Sequence, residues 1–444
     1  MSRRPRLTQP RHTHHRRQQS GRAEPIEALV SEIGARGDGI AQSDQGLLFV
    51  PGTAPGDRVL VRPGPRRGEG RAAELLEVLE PGPDRVDPPC PHAKSCGGCS
   101  LQHIHPDTIA GTKRSILADA LAHRGFDADI VTETRSVGPG TRRRLRVAVR
   151  RLGGRTVLGF NERASGNLVD ISVCPIARPE LVSLFPALRK LAASLNSLGK
   201  GGDFQLTLTE TGVDLLIVPM RDVDPDLGER RRMVDFAEDH DLARIAWEID
   251  AIPEPIVARR DAVMRFGGVP VALPMGAFLQ PSAEGEAILV ELVRAAIPGG
   301  ADAVADLYSG CGSLSLPLVA DGRNVLAVEG ESAPVGALRA ATGGMRVQTE
   351  CRDLARAPLT VRELDRFDAV VFDPPRAGAA AQAEELAHSK VPRVIAVSCN
   401  PSTLARDLRL LVDGGYVLDR VVPVDQFTWS AHVEAVAVLS RPTE

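Results

Sequence analysis

In residues 24–84 the apolar positions come in short runs divided by turn signals. IEALVSEI, GDGIAQ, GLLFVPG, DRVLVRP and RAAELLEVLE are separated by Gly37-Asp38-Gly39, Pro51-Gly52, Pro63-Gly64 and, at the end, Pro81-Gly82-Pro83. Five short strands in so few residues predict a small closed barrel of the OB type, an architecture that binds single-stranded nucleic acid. Phe49 is the one aromatic residue there, so RNA contacts would be mainly polar and basic. A proline-rich stretch, Pro81 to Pro91, reads as a linker. Beyond it, Lys113–Arg124 is expected to be helical up to Gly125. Leu145, Val147 and Val149 alternate with polar residues as on a half-buried strand. FQLTLTE and VDLLIVPM are further strands, and a helix contains Arg230–Glu238. From about residue 271 the pattern changes. A helix over Ala283–Ile297, stopped by Pro298-Gly299-Gly300, is followed by buried-strand runs at Val304–Leu307, Asn324–Glu329, Phe367–Asp373, Arg393–Ser398, Tyr416–Val424 and Glu434–Ser440. Strands alternating with helices imply a doubly wound α/β sheet. A hairpin of the last two runs would set the final strand antiparallel to the rest.

At 444 residues the chain has material for about three domains. Hydrophobic residues make up 43% and charged residues 25%, ordinary values for a globular protein. No run approaches the ~18 consecutive apolar residues of a membrane span. Seven cysteines, an odd number spread over a long chain, argue against a secreted disulfide scaffold and for a reducing, cytoplasmic setting. The net charge of −3 argues against a nucleic-acid binder until its distribution is read. Residues 1–23 hold seven arginines and no acid, which leaves −10 for the rest. This tail is nearly free of apolar residues and has no signal-peptide core, so it is expected to be disordered and is a candidate tether for phosphates. Residues 142–155 (RRRLRVAVRRLGGR) carry seven more arginines, whose guanidinium groups suit phosphate oxygens.

Four strand ends and one cysteine cluster carry the chemistry. Asp306-Leu-Tyr-Ser-Gly310-Cys-Gly312 follows a strand directly, and its glycines let the backbone approach a ligand. The next strand ends in Glu329, an acceptor for ribose hydroxyls. Ser315 stands where a dinucleotide site has its third glycine, so an adenosyl ligand without pyrophosphate fits better. Asp373-Pro-Pro-Arg376 and Ser398-Cys399-Asn400-Pro401 end two more strands and should face the same crevice. A cysteine so placed reads as a nucleophile in preference to a small buried hydrophobe. Glu434, opening the last strand, would come to the same edge as a base. Cys90, Cys96 and Cys99, with Cys174 far downstream, have metal-ligand spacing that suits tetrahedral zinc or an iron–sulfur cluster equally, with His92 and His103 as spare ligands for zinc. Cys311 and Cys351 lack such partners.

CPHAKSCGGCSLQH, DLYSGCG, FDPPRAG, VSCNPSTLARDL and AHVEAV, in this order, closely resemble the RNA uracil-C5 methyltransferase family, particularly its members with an N-terminal TRAM barrel and an iron–sulfur cluster. The resemblance implies a class I S-adenosylmethionine-dependent methyltransferase fold over residues 271–444. It implies a TRAM barrel over 24–84 and a central RNA-binding α+β domain over 85–270. Cys90, Cys96, Cys99 and Cys174 would hold a 4Fe–4S cluster. Gln280, Tyr308, Ser313, Glu329, Asp353 and Asp373 would contact S-adenosylmethionine. Cys399 would be the nucleophile and Glu434 the base. The expected partner is RNA, ribosomal RNA before tRNA, with no membrane, acting as a monomer. The rival from another class is a catalytically silent RNA-binding or assembly protein of the same fold.

Overall fold

The computed structural model describes residues 23–44 and 46–442. The arginines of the N-terminal tail, Arg3 to Arg22, lie outside the described residues. Strands β1 (Ile26–Ile33), β2 (Asp38–Ser43), β3 (Gly46–Pro51), β4 (Arg58–Arg67) and β5 (Gly70–Glu80) form a closed barrel in the order β1-β2-β3-β5-β4. The alternating apolar positions point inward, and Val30, Ala41, Leu48, Val50, Val59 and Val61 fill the barrel. The proline-rich stretch is pinned to its end: Asp57, fully buried, accepts from Gly82 N at 2.8 Å and from Arg85 Nε at 2.9 Å.

The middle of the chain contributes β6 (Arg135–Ser136), β7 (Arg144–Leu152), β8 (Arg155–Asn161), β9 (Leu168–Asp170), β10 (Gly201–Thr209), β11 (Gly212–Pro219), β12 (Arg244–Ile249) and β13 (Ile252–Ala258). All but β6 form one sheet in the order β13-β12-β11-β10-β7-β8-β9. Leu145, Val147 and Val149 are buried as their alternation predicts, against Phe185, Leu188 and Trp247. The helix foreseen from Lys113 starts earlier and spans Pro106–Ala122, with Pro106 in its first turn and the His105 side chain capping Asp107 N. Its apolar face does not join the middle sheet. Leu117 and Leu121 pack in one core with Leu307 and Phe372 of the C-terminal unit.

After a hairpin of β14 (Val263–Phe266) and β15 (Val269–Ala272), the chain forms β16 (Ala303–Leu307), β17 (Asn324–Glu329), β18 (Val347–Cys351), β19 (Ala369–Phe372), β20 (Arg393–Ser398), β21 (Val417–Asp425) and β22 (Glu434–Ser440). The sheet order is β18-β17-β16-β19-β20-β22-β21-β6, and β22 runs antiparallel to both its neighbours. The near-continuous apolar runs of β19, β20 and β22 are buried on both faces, as a sheet covered by helices requires. Strand order reverses at β16, so a crevice opens beyond the carboxyl ends of β16 and β19. The ends of β17 and β20 and the start of β22 reach the same edge.

Candidate active site

The turn after β16 is built for close approach. Tyr308, Gly310 and Gly312 have φ of +63°, +53° and +92°. A Cβ on Gly312 would lie 2.6 Å from Leu338 Cδ1, so the turn can press onto its neighbour only as glycine. Glu329 braces this turn, accepting from Gly310 N and Glu331 N, each at 2.9 Å. Tyr308 is the packed wall beside it: burial, then Asp407, Asp353 and Glu329, push its hydroxyl up to about 12. Asp353 is exposed, receives Ala355 N at 3.0 Å and faces Arg356. Ser313, directly after Gly312, lines a cavity with Arg265, Glu286 and Pro317.

Beneath the turn, Asp306 is buried, receives Ser315 Oγ at 2.5 Å and leaves Oδ1 without a partner. Burial, with Asp373 and Glu329 nearby, pushes its carboxyl up to about 7 despite the Ser315 bond. Asp373 rises to about 7 as well, through burial, against the hydrogen bond it accepts from Gln280 Nε2 at 3.1 Å. Glu434 is held well above the usual carboxylate range by burial and then by Asp373. Among the described residues none of these three carboxylates has an ion-pair partner. Their site therefore favours a ligand that carries positive charge.

Register sets the nucleophile candidate opposite the base candidate. Ser398 pairs with Ala435 across β20 and β22, so the next positions outward are Cys399 and Glu434. Asn400 and Pro401 then start the helix Pro401–Asp413, which turns the chain away and leaves the Cys399 thiol at the strand end. Burial, followed by Glu434 and Asp373, pushes that thiol up to about 11, with Arg376 opposing. Cys399, Arg376 and His432 line two cavities at once. One, of about 920 Å³, runs toward the barrel past Arg36 and Arg163. The other, of about 460 Å³, contains Cys90, Cys96, Cys99 and Cys174 in its wall, with Arg142 and Arg146.

All four clustered cysteines are unbridged. Burial raises the Cys99 and Cys174 thiols to about 11 and about 12. Among the described residues, however, no group of three or more His, Cys, Asp or Glu is disposed to hold a metal ion. The expected ligands share a cavity without forming a coordination site as they stand. The two spare histidines are otherwise engaged: His103 is buried with Nε2 3.0 Å from Thr53 O, and His92 Nε2 accepts from Ser172 N at 3.1 Å.

The arginine strand is narrower in purpose than its charge suggests. Arg143 is buried, bonding Gln280 O at 3.0 Å and Glu286 at 2.8 Å, so it fixes the segment that carries Gln280. Arg150 and Arg151 bond backbone carbonyls, and Arg155 faces Asp170. Arg142 and Arg146 line the cysteine cavity, and Arg144 lies 5.5 Å from the Phe278 ring. Sequence reasoning missed Gln426, whose amide joins Gln280 to Glu434. Its signal was available: Asp425-Gln426 is a polar pair directly after the buried run VVPV, at the same edge as Asp373 and Cys399.

The family model described as tRNA (Uracil-5-)-methyltransferase matches residues 271–442. An uncharacterised RNA methyltransferase of Mesorhizobium japonicum is 44% identical, over 93% of this chain and 97% of its own. The 23S rRNA (uracil(1939)-C(5))-methyltransferase RlmD of Halomonas elongata is 34% identical, over 94% of this chain and 89% of its own. The crystal structure of Pyrococcus abyssi tRNA (uracil-54, C5)-methyltransferase, in complex with S-adenosyl-L-homocysteine, superposes with a TM-score of 0.71 at 24% identity, covering 93% of this chain and all of that one. Together with the strand order and the crevice it opens, these matches show that the chain belongs to the RNA uracil-C5 methyltransferase family, with the class I S-adenosylmethionine-dependent methyltransferase fold.

Proposed function

We propose that this chain methylates C5 of a uridine in RNA, with 23S rRNA as its substrate, using Cys399 as nucleophile and Glu434 as base. The observation that carries the reading is the register of β20 and β22, which faces a thiol with a buried carboxylate at the mouth of the crevice. C5 of uracil is too weak a nucleophile to be alkylated unaided. Addition of the Cys399 thiolate to C6 moves electron density to C5. Once C5 carries the methyl group, Glu434 takes its proton and the freed electron pair expels Cys399 from C6. The unpaired carboxylates, the orphaned Asp306 Oδ1 and the positive-φ turn fit S-adenosylmethionine, which when bound supplies an electrophilic methyl group on a sulfonium. Gln280, Tyr308, Ser313, Glu329, Asp353 and Asp373 would hold it. The uridine must leave its stack to reach Cys399. Ribosomal RNA is supported by the 34% identity to an rRNA enzyme across nearly the whole chain.

Under the same reading the chain divides into a TRAM barrel over 24–84, a central domain over 85–270 and the methyltransferase domain over 271–444. An all-thiolate donor set around one cavity suits a 4Fe–4S cluster on Cys90, Cys96, Cys99 and Cys174, which would tie the loop 90–99 to the segment that follows β9. Iron and labile sulfide measured on protein purified without oxygen check this; zinc alone, or no metal, overturns it. For the reaction, Cys399→Ala should abolish 5-methyluridine formation while S-adenosylmethionine still binds. Mapping 5-methyluridine in rRNA and tRNA from cells with and without the protein identifies the RNA. Undiminished activity in the variant overturns the mechanism, and a lost tRNA site in place of an rRNA site overturns the choice of RNA.

A further inference from the structure

Gln426 follows Asp425 at the carboxyl end of β21 and is 4% exposed. Its amide nitrogen donates to Gln280 Oε1 at 2.9 Å and to Glu434 Oε2 at 3.0 Å. Gln280 in turn directs its own amide nitrogen at Asp373 Oδ2, 3.1 Å away. The orientation of the Gln426 amide follows from its neighbours, since the reverse would set its oxygen against two other oxygens. Its Oε1 has no partner and lies over the first turn of the helix Ala283–Ala296, where a Cβ on Gly285 would come within 2.5 Å of it. Both flanks are anchored: buried Lys113 pairs with Asp425 and also donates to Phe427 O at 3.1 Å.

We propose that Gln426 is a positioning residue for the proton-abstraction step, holding Glu434 as an oriented carboxylate and coupling it to the segment that carries Gln280. The inference rests on the reading of Glu434 as the base in uracil-C5 methylation. In that step the C5–H bond breaks and the proton goes to a Glu434 carboxylate oxygen. The C–H electron pair forms the C5–C6 double bond, and the C6–S pair returns to Cys399. Glu434 can accept the proton only while ionised. The groups around it, Asp373 and Cys399, are themselves anionic or neutral, and the Gln426 N–H is the hydrogen bond that favours its charged form. Without that donor, the base would sit protonated or turned away, and the adduct would stall after methyl transfer.

The test compares wild type and Gln426→Met on one RNA containing uridine and on the same RNA with 5-fluorouridine. Fluorine at C5 leaves no proton for Glu434 to remove, so the fluorinated RNA reports only the steps up to the methylated Cys399 adduct. Single-turnover product formation on uridine should fall about 10-fold or more in the variant, a part of the roughly 100- to 10,000-fold that a positioned general base contributes. Adduct formation on 5-fluorouridine and the KM for RNA should stay near wild type. Gly285→Ala, which crowds Gln426 from the helix side, should show the same split. Unchanged turnover overturns the proposal, and so does a loss of adduct formation in step with turnover, which marks general damage to the site. Failure of the wild-type protein to form the fluorinated adduct instead overturns the underlying reading of Cys399 and Glu434.

Discussion

In the proposed reaction Cys399 is the attacking group, yet in the free protein it is surrounded by the wrong charge for a thiolate. Burial and the carboxyls of Glu434 and Asp373 hold it up at about 11, against Arg376 and a backbone hydrogen bond that work in the other direction. A cation brought beside these carboxylates favours the thiolate, so the pKa must fall when it binds and the thiolate fraction at fixed pH must rise. S-adenosylmethionine, a sulfonium, should therefore shift the pH profile of Cys399 alkylation down by about one pH unit, the lower end for an opposite charge at contact distance. S-adenosylhomocysteine fills the same space without the sulfonium charge and should leave the profile in place. Peptide mass spectrometry separates Cys399 from the exposed Cys351, and identical profiles with both ligands would sink the electrostatic account. At this scale the sequence was legible where a reactive side chain ends an apolar run, as at Asp373, Cys399 and Glu434. It was not legible at Gln426, whose meaning depends on two partners from distant segments.

With β6, the helix Pro106–Ala122 ties the middle of the chain to the C-terminal sheet, and it does so through a charge as well as an apolar face. Lys113 is fully buried against Asp425 of β21, next to Gln426. Removing one member of a buried pair leaves the other uncompensated and typically costs about 3–5 kcal/mol, whereas replacing both by apolar groups is much milder. Lys113→Met alone should thus lower the urea midpoint strongly, and Lys113→Met with Asp425→Leu should recover most of the loss. A double variant as unstable as the single one would show that the pair matters for geometry and not for charge balance. Elements with a strong period were legible: the five barrel strands, the alternating strand β7, and β17, β20 and β22 to the residue. The first turns of this helix were hidden because Pro106 to Gly111 carry little apolar signal, although Pro106 and Asp107 are start signals. Strand β18 was missed for a related reason, since VQTEC is a half-exposed edge with no buried run.

At the scale of the whole molecule, Cys399 stands where two cavities meet, one bounded by the barrel and the other by the cysteine cluster. The net charge of −3 says little about such a site, because phosphates meet local charge. On the barrel side the cavity wall carries Arg36, which makes no ion pair among the described residues, Arg163, held 3.7 Å from Asp38, and Arg376. If the RNA strand follows this cavity to Cys399, each arginine that neutralises a phosphate contributes about 0.7 to the slope of log affinity against log salt. Arg36→Ser and Arg163→Ser should each flatten the slope by about that amount and weaken RNA binding at low salt. S-adenosylmethionine affinity should not change, because neither Gln280 nor Asp373 lines this cavity. Filter binding from low to moderate salt measures this directly. Slopes equal to wild type would move the strand to the opposite side of Cys399, where Arg142 and Arg146 line the cysteine cavity and Arg144 stands beside the exposed Phe278. The barrel would then serve the fold without touching the RNA that reaches the thiol.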